Sequence, residues 1–210
     1  MRSTADSEAG RIFESERGKK PSDSKAYGSE SGKETKMVNF KENEELKTLN
    51  HSCAHVMAQA IKHLYPQAKF WVGPVVAEGF YYDVDLGDAV IRDEDIEKIE
   101  KEMKKVCKSG KRIVRKEISK EEAKEMFKDD EYKLDLIDGL EDGNITCYEQ
   151  GDFTDLCRGP HVENVKLCRN FKLIRHSGAY WKGDSKNKVL QRIYGVCFPT
   201  AEELEAHLKL

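Results

Sequence analysis

The sequence predicts an α+β fold in which a mostly antiparallel sheet packs against a helix that carries two histidines. Helical and strand-forming segments do not alternate regularly along the chain, as they would in a parallel α/β protein. One strand-forming stretch, 70–85, is rich in β-branched and aromatic residues with glycines between them, which favours two strands or a hairpin. The first helical segment contains the motif HSCAH at 51–55.

Composition limits which domain organisation and which class of protein are possible. Residues 1–43 are rich in Ser, Gly, Lys and Glu, so we expect a disordered tail followed by one domain at 44–210. No apolar run is long enough to span a bilayer and no secretory signal is present, which predicts a cytoplasmic protein without a membrane partner. The six cysteines are then reduced thiols, and no CxxC pair indicates a zinc ribbon or a thioredoxin-type motif.

The first helix is predicted over 44–64. Apolar residues recur there with helical spacing, and Tyr65-Pro66 ends the pattern. His51 and His55 lie roughly opposite the apolar stripe. We therefore expect both imidazoles to point into solvent or into a polar cleft.

The remaining elements follow from local patterns. After the strands in 70–85, an amphipathic helix is predicted at 93–109, a strand at 111–118 and a short helix at 119–128. The rest is expected to be strand and loop, with strands at about 144–150, 171–181 and 188–198, before a last helix at 200–210.

Local charge points to a polyanionic partner although the net charge is only −3. Residues 166–192 contain eight Lys or Arg residues and one acid, with aromatic residues between them. A second basic stretch, 101–116, is equally well explained as a solvated surface.

Two short motifs are the candidate site. His51 and His55 are one helical turn apart, and CRGPH at 157–161 places Cys157 and His161 on a tight turn. Asp155 shares a face with Cys157 if the preceding segment is extended. Four such side chains, brought together, would make a site for hydrolysis or for a metal ion.

Three chemistries fit these residue types. A zinc protease is excluded because Ser52 stands where that motif has its glutamate, but a structural zinc site with four ligands remains open. Cys157 could act as a nucleophile activated by a histidine. Alternatively, an imidazole activates water while Cys157 and Asp155 position the substrate.

Five motifs occur in order along the chain: HSCAH at 51–55, GP at 73–74 with GFYYD at 79–83, DLCRGPH at 155–161, GAYWKGD at 178–184 and LQRIYG at 190–195. Together they resemble the editing domain of bacterial-type threonyl-tRNA synthetase. The resemblance covers about 45–210, and the framework is shared more weakly with alanyl-tRNA synthetase editing domains.

The resemblance implies hydrolytic removal of serine from tRNA that should carry threonine. By position it implicates His51, His55, Lys133, Cys157 and His161 in catalysis, and Tyr82 and Asp155 in substrate binding. His51 and Lys133 would orient the attacking water, and Asp155 would recognise the aminoacyl group.

The same resemblance implies partners and cofactors. The partners are the acceptor end of tRNA(Thr), held by the 166–192 stretch, and a threonyl-tRNA synthetase catalytic core. The class II core itself is not recognisable here, so ligase activity is not expected from this chain alone. No cofactor is expected, although the alanyl-type relatives use this framework for zinc.

Overall fold

The computed structural model describes residues 37–210, which form five α-helices and two antiparallel sheets. The predicted α+β class is therefore confirmed for this part of the chain. The helices are α1 (Glu44–Leu64), α2 (Asp93–Lys108), α3 (Lys120–Met126), α4 (Glu131–Asp138) and α5 (Ala201–Leu208). The strands are β1 (Lys69–Phe70), β2 (Val75–Val76), β3 (Gly79–Asp85), β4 (Val114–Ile118), β5 (Ile145–Gln150), β6 (Phe153–Leu156), β7 (Phe171–Tyr180) and β8 (Val189–Cys197). None of the described helices is long and apolar enough to cross a membrane.

The larger sheet has the strand order β1-β3-β8-β7, with β2 also paired to β3. All of its pairs are antiparallel, and Tyr82 on β3 lies opposite Ile193 on β8. The smaller sheet, β4-β5-β6, is antiparallel too and places Tyr148 opposite Asp155. The segment 70–85, predicted as two strands or a hairpin, forms antiparallel pairs in which β1 and β2 both pair with β3.

Helix α1 is the central element because it packs against both β3 and β8 and against α2. The Asn43 side chain caps its first turn by accepting from the Leu46 amide at 3.0 Å. Its buried apolar side includes Cys53, Val56 and Ala60, as the spacing predicts.

A buried hydrogen bond attaches the smaller sheet to α1. The Gln150 side chain on β5 donates to the Gln59 side chain at 2.9 Å, and both residues are buried. Burying two amides is unfavourable unless they pair, so this contact fixes where β5 lies against the helix. As β6 pairs with β5, the same contact brings Asp155 toward the histidines of α1.

One expected loop is a helix. Residues 131–138 form α4, where strand and loop were predicted, because the Asp130 carboxylate accepts from the amides of Tyr132 and Lys133 at 3.0 and 3.1 Å. This cap starts a helix in a segment whose apolar pattern is too short to identify it. Another segment outside the predicted strands, Phe153–Leu156, forms strand β6.

The expected boundary between tail and domain also moves. Residues 1–36 of the predicted disordered tail, 1–43, lie outside the described residues. Within 37–43, Phe40 is fully buried, and its ring lies 5.3 Å from that of Phe198 and 5.7 Å from that of His207. The Phe40 amide also donates to the Ala77 carbonyl at 3.1 Å. The packed part of the chain therefore includes Phe40, because one aromatic anchor outweighs the polar composition around it.

His63 links three elements at the surface. From the end of α1, its Nδ1 lies 2.9 Å from Glu102 on α2 and its Nε2 lies 2.8 Å from Asp152 in the β5–β6 turn. Partial burial lowers the pKa of His63, but the hydrogen bonds and charges of Asp152 and Glu102 outweigh it and raise the pKa above its ordinary value.

We expect His63→Gln to destabilise the domain more at about pH 5.5 than at about pH 9. A raised folded-state pKa contributes stability that is complete below the unfolded pKa of about 6.5 and is lost as pH rises through the folded value. The effect should stay below about 1 kcal/mol because the pair is partly solvated. Urea unfolding at both pH values measures it, with Lys108→Gln as a surface control. An equal loss at both pH values would contradict the assignment.

Candidate functional site

The predicted site residues converge on one cavity of about 150 Å³. Its wall is built from α1, the segment 71–75, β3, α4 and the turn after β6. Six of the seven predicted residues line it: His51, His55, Tyr82, Lys133, Asp155 and Cys157. The seventh, His161, packs on both α1 histidines, with ring centroids 4.4 Å from His51 and 4.3 Å from His55. Both α1 histidines therefore face a cavity, rather than the open solvent that was the other expectation.

A thiol lies between two of the three imidazoles. Cys157 Sγ is 3.3 Å from His51 Nε2 and 3.2 Å from His161 Nε2, and the Gly159 amide donates to it at 3.2 Å. One ligand atom from each of His51, His55, Cys157 and His161 lies within 4.8 Å of the others. The helix and the distant turn therefore form a single cluster.

All three imidazoles are neutral near neutral pH. Burial lowers the pKa of His51 to about 4, and the nearby Lys47 ammonium adds to the effect while Asp155 opposes it. Burial likewise holds the pKa values of His55 and His161 well below the ordinary value, and the neighbouring histidines add to this. A neutral imidazole has a free lone pair, so each can accept a proton or bind a metal.

Ser52 determines which nitrogen of His161 carries the proton and which one presents a lone pair to the thiol. Its hydroxyl donates to the Thr48 carbonyl at 2.8 Å and accepts from the Val162 amide, which leaves it to accept from His161 Nδ1 at 3.0 Å. His161 Nε2 then points its lone pair at Cys157. Ser52 is thus a site residue that sequence reasoning noticed only because it is not glutamate.

Lys133 and Asp155 form a buried ion pair on the opposite wall. Lys133 Nζ donates to Asp155 Oδ1 at 2.7 Å, to the Trp71 carbonyl at 2.9 Å and to Tyr82 Oη at 2.9 Å. Tyr82 in turn donates to Asp155 Oδ2 at 2.6 Å, and burial with this carboxylate raises the pKa of Tyr82 well above its ordinary value. All three ammonium protons are used, which makes a buried charge tolerable here.

The pair touches the imidazole cluster through His55. His55 Nε2 lies 3.6 Å from Asp155 Oδ2, and both side chains are 3% exposed or less. The cavity therefore joins neutral proton acceptors on one side to a fixed cation and anion on the other. Such a wall can polarise a bound ester and orient a water against it.

The turn that carries Cys157 depends on a glycine packed against a tyrosine. Gly159 has φ of +72°, and a Cβ placed there would lie 2.1 Å from Tyr148 Oη. The Tyr148 ring also packs on His161 at 4.4 Å. Tyr148 is a second residue that sequence reasoning missed, because a strand tyrosine has no local signal of such a role.

Gly159→Ala should therefore cost more stability than a glycine of similar conformation elsewhere. Gly143 is the matched control, since its φ is +88° and nothing lies within 4 Å of a Cβ there. Left-handed strain alone costs about 1–2 kcal/mol, and the clash with Tyr148 should add roughly 1–3 kcal/mol. Urea unfolding of both alanine variants measures the difference. Equal losses would show that Tyr148 does not confine the turn.

The donor set of the cluster fits zinc. Three neutral imidazoles and one thiol are the residue types of a four-ligand site, and such ligands lie about 2.0–2.3 Å from the ion. Buried His55 Nδ1 has no hydrogen-bond partner within residues 37–210. His51, His55, Cys157 and His161 would hold the ion.

Half of the cations in the predicted polyanion-binding stretch form ion pairs within the chain. Four of its eight cations form ion pairs at 2.7–3.0 Å: Lys172 with Glu100, Lys182 with Asp135, Lys188 with Asp85 and Arg192 with Asp83. The Arg175 guanidinium stacks on Tyr194 at 4.0 Å. The acids come from distant parts of the sequence, which is why the local pattern did not reveal the pairing.

The chain is similar to a known domain family over residues 145–194 and to known proteins along most of its length. Residues 145–194 match the family described as the threonyl and alanyl tRNA synthetase second additional domain, a range that includes Asp155, Cys157 and His161. Threonine--tRNA ligases of Staphylococcus aureus strains JH9, Newman and N315 are each 55% identical over 168 residues, which is 80% of this chain. Over residues 145–194 the chain is therefore similar to the second additional domain of threonyl and alanyl tRNA synthetases. It spans only 26% of the length of these ligases.

The match confirms the resemblance on which the site residues were carried over. It relates the chain to an aminoacyl-tRNA synthetase and to translation. His51, His55, Tyr82 and Lys133 lie outside the 145–194 match. For these four residues, their convergence in the cavity is what supports including them in the candidate site.

Proposed function

We propose that this second additional domain hydrolyses the ester of Ser-tRNA(Thr) and so removes serine attached in place of threonine. The observation that carries the proposal is the cavity itself, which joins neutral imidazoles to the buried Lys133–Asp155 pair. One water needs roughly 10–15 Å³ of such space, so a cavity of about 150 Å³ can hold a small amino acid ester together with water.

The need for a second site follows from the difference between the two amino acids. Serine lacks one methyl group of threonine, and for aminoacyl-tRNA synthetases one methylene discriminates only about 10–200-fold. A hydrolytic cavity that accepts the smaller side chain and rejects the larger one supplies the missing discrimination.

The proposed reaction needs only the residues of this chain and water. His51 accepts a proton as water attacks the ester carbonyl, because its pKa, lowered by burial to about 4, leaves the imidazole unprotonated at neutral pH. Lys133, fixed by three hydrogen bonds, acts through its positive charge, which orients the dipole of the water and supports the negative charge that develops on the oxygen. The carbon–oxygen bond to the ribose then breaks, and the proton passes to the leaving ribose oxygen.

Tyr82 and Asp155 bind the aminoacyl group in this proposal. Asp155 is the one acid among the described residues that line the cavity, so it is suited to the α-ammonium of the amino acid. His55, Cys157 and His161 shape the wall beside His51. The partner is the acceptor end of tRNA(Thr), alone or with a threonyl-tRNA synthetase catalytic core, in the cytoplasm.

A second candidate is a zinc-binding or tRNA-binding module without activity. The four-ligand cluster favours it, because a site closed by four protein ligands leaves no position for a reacting water. Stoichiometric zinc that leaves only when the protein unfolds, together with no hydrolysis, would support this reading.

Hydrolysis of Ser-tRNA(Thr) should be at least about 10-fold faster than that of Thr-tRNA(Thr). Incubating the protein with each labelled ester and following the remaining aminoacyl-tRNA measures both rates. Ser-tRNA(Ser) is the control for recognition of the tRNA. Equal persistence of the two esters of tRNA(Thr) would contradict the proposed function.

A further inference from the structure

The Asp130 carboxylate joins the start of helix α4 to strand β1. Its Oδ1 accepts from the amides of Tyr132 and Lys133 at 3.0 and 3.1 Å, which caps the helix. Its Oδ2 accepts from the amide of Phe70, the last residue of the strand, at 2.8 Å. Capping a helix needs only one side-chain oxygen, so the bond to β1 is a separate contact of the same carboxylate. We call these three hydrogen bonds the Asp130 bridge.

The Asp130 bridge fixes both ends of the Lys133 side chain. At one end, Asp130 holds the Lys133 amide. At the other end, Lys133 Nζ donates at 2.9 Å to the carbonyl of Trp71, the residue that follows Phe70. The Trp71 amide in turn donates to the Asp83 carbonyl on β3 at 3.0 Å. The backbone and the ammonium of a long, flexible side chain are therefore tied to the same strand segment, which limits how far the ammonium can move.

Asp130 itself lies outside the cavity. It is not among the described residues that line the cavity, whereas Lys133 is. Asp130 is half-buried, and this burial raises the pKa of its carboxyl although the hydrogen bond from the Phe70 amide opposes the rise. Such a carboxylate is tolerated where its oxygens are hydrogen-bonded, as they are here. Any effect of Asp130 on a ligand in the cavity is therefore indirect and passes through Lys133.

We propose that Asp130 is a positioning residue for the hydrolysis, which holds Lys133 in place through its bond to β1 and not only by capping α4. The inference rests on the proposed function for the role of Lys133 in the reaction. A misplacement of about 1 Å caused far from the reacting atoms can reduce a rate by about 10²-fold. Loss of the bond to β1 should therefore slow the reaction although every group that lines the cavity is still present.

Asp130→Ser separates the two contacts of the carboxylate. Serine is a good helix cap, so α4 keeps its start, but one oxygen on a shorter side chain cannot also reach the Phe70 amide. We expect the single-turnover rate on Ser-tRNA(Thr) with saturating protein to fall by about 10–100-fold. The protein concentration that gives half of the maximal rate should stay within about twofold of the wild type, because no lining residue is replaced.

Two control variants measure what a lost cap and a lost surface contact do by themselves. Ser119→Ala removes the cap of α3, where Ser119 Oγ accepts from the Glu122 amide at 3.0 Å. Glu131→Gln removes another contact between α4 and β1, the exposed ion pair of Glu131 with Lys69 at 4.0 Å. Both variants should keep the rate within about twofold of the wild type. A rate for Asp130→Ser that equals the rates of these controls would overturn the inference.

A double variant shows whether Asp130 acts through Lys133. In the Lys133→Met background, Asp130→Ser should cause no further loss of rate, because there is no ammonium left to position. A general loosening of the domain would instead lower the rate by the same factor in both backgrounds, and that result would contradict the inference. Circular dichroism checks that each variant is folded.

Unfolding in urea separates this inference from the proposed function, because it needs no substrate. Once the Asp130 bridge is broken, the ion pair of Lys133 is held less firmly and its removal should cost less. The losses in free energy of unfolding from Asp130→Ser and Lys133→Met should therefore be less than additive, whereas those from Ser119→Ala and Lys133→Met should add.

The two results together decide which claim fails. If the losses are less than additive while the wild-type protein hydrolyses no Ser-tRNA(Thr), the proposed function fails and the placement of Lys133 by Asp130 stands. If Ser-tRNA(Thr) is hydrolysed and the losses from Asp130→Ser and Lys133→Met are additive, the proposed function stands and the inference fails.

Discussion

Replacing His51 with alanine should slow deacylation of Ser-tRNA(Thr) by about 10²–10⁴-fold, the usual contribution of a general base. The neutral imidazole beside the cavity would be gone, and no other group of the described residues occupies its position between Lys47 and Cys157. Affinity for tRNA should be unchanged, because burial keeps His51 neutral and its loss removes no charge from the cavity lining. Single-turnover rates with saturating protein measure the effect on chemistry separately from binding.

His176→Ala is the matched control for this variant. His176 pairs with Asp93 on the surface and does not line the cavity. Its loss should leave the rate within about twofold of the wild type, as for most surface substitutions. Unchanged turnover in His51→Ala would remove His51 from the mechanism.

Replacing Lys133 alone should destabilise the domain by about 3–5 kcal/mol, the usual cost of leaving a buried charge without its partner. Asp155 is 1% exposed and would keep only its hydrogen bond from Tyr82 and the more distant His55. Lys133→Met preserves most of the volume, so the loss reports the charge rather than a cavity. Urea unfolding measures it, and deacylation should fall in the same variant.

A double variant provides the control. Lys133→Met combined with Asp155→Leu removes both charges, and replacing a buried ion pair with apolar residues is often neutral in stability. We therefore expect the double variant to recover much of the stability but none of the activity. If the single and double variants are equally unstable, packing rather than charge governs this wall. If Lys133→Met alone leaves the free energy of unfolding unchanged, the ion pair does not stabilise this wall of the cavity.

The cluster of His51, His55, Cys157 and His161 was predictable because its sequence motifs are unusual. Two histidines one turn apart and a thiol with an imidazole on a Gly-Pro turn are unusual patterns, and residue type alone indicated that they belong together. What the sequence did not show was the mutual distance, which depends on the buried contact between Gln59 and Gln150. Such a contact joins residues 91 positions apart and leaves no local pattern.

Lys133 and Lys41 illustrate the opposite case. Lys133 lies on α4, a helix that was not predicted, and by itself it resembles an exposed surface lysine; only the family resemblance identified it. Asp130, which caps α4, was the available signal. Lys41 lies in a segment whose composition predicted disorder, and the buried Phe40 beside it decides otherwise.

The central claim is that His51 activates water in this cavity without a metal ion, and the rate of hydrolysis by metal-free protein tests it most directly. The protein is stripped with a chelator, its zinc content is measured, and Ser-tRNA(Thr) is added in a single-turnover assay. We predict full activity without zinc and loss of activity in His51→Ala. Hydrolysis that is absent in the metal-free protein and returns only with stoichiometric zinc would contradict the account.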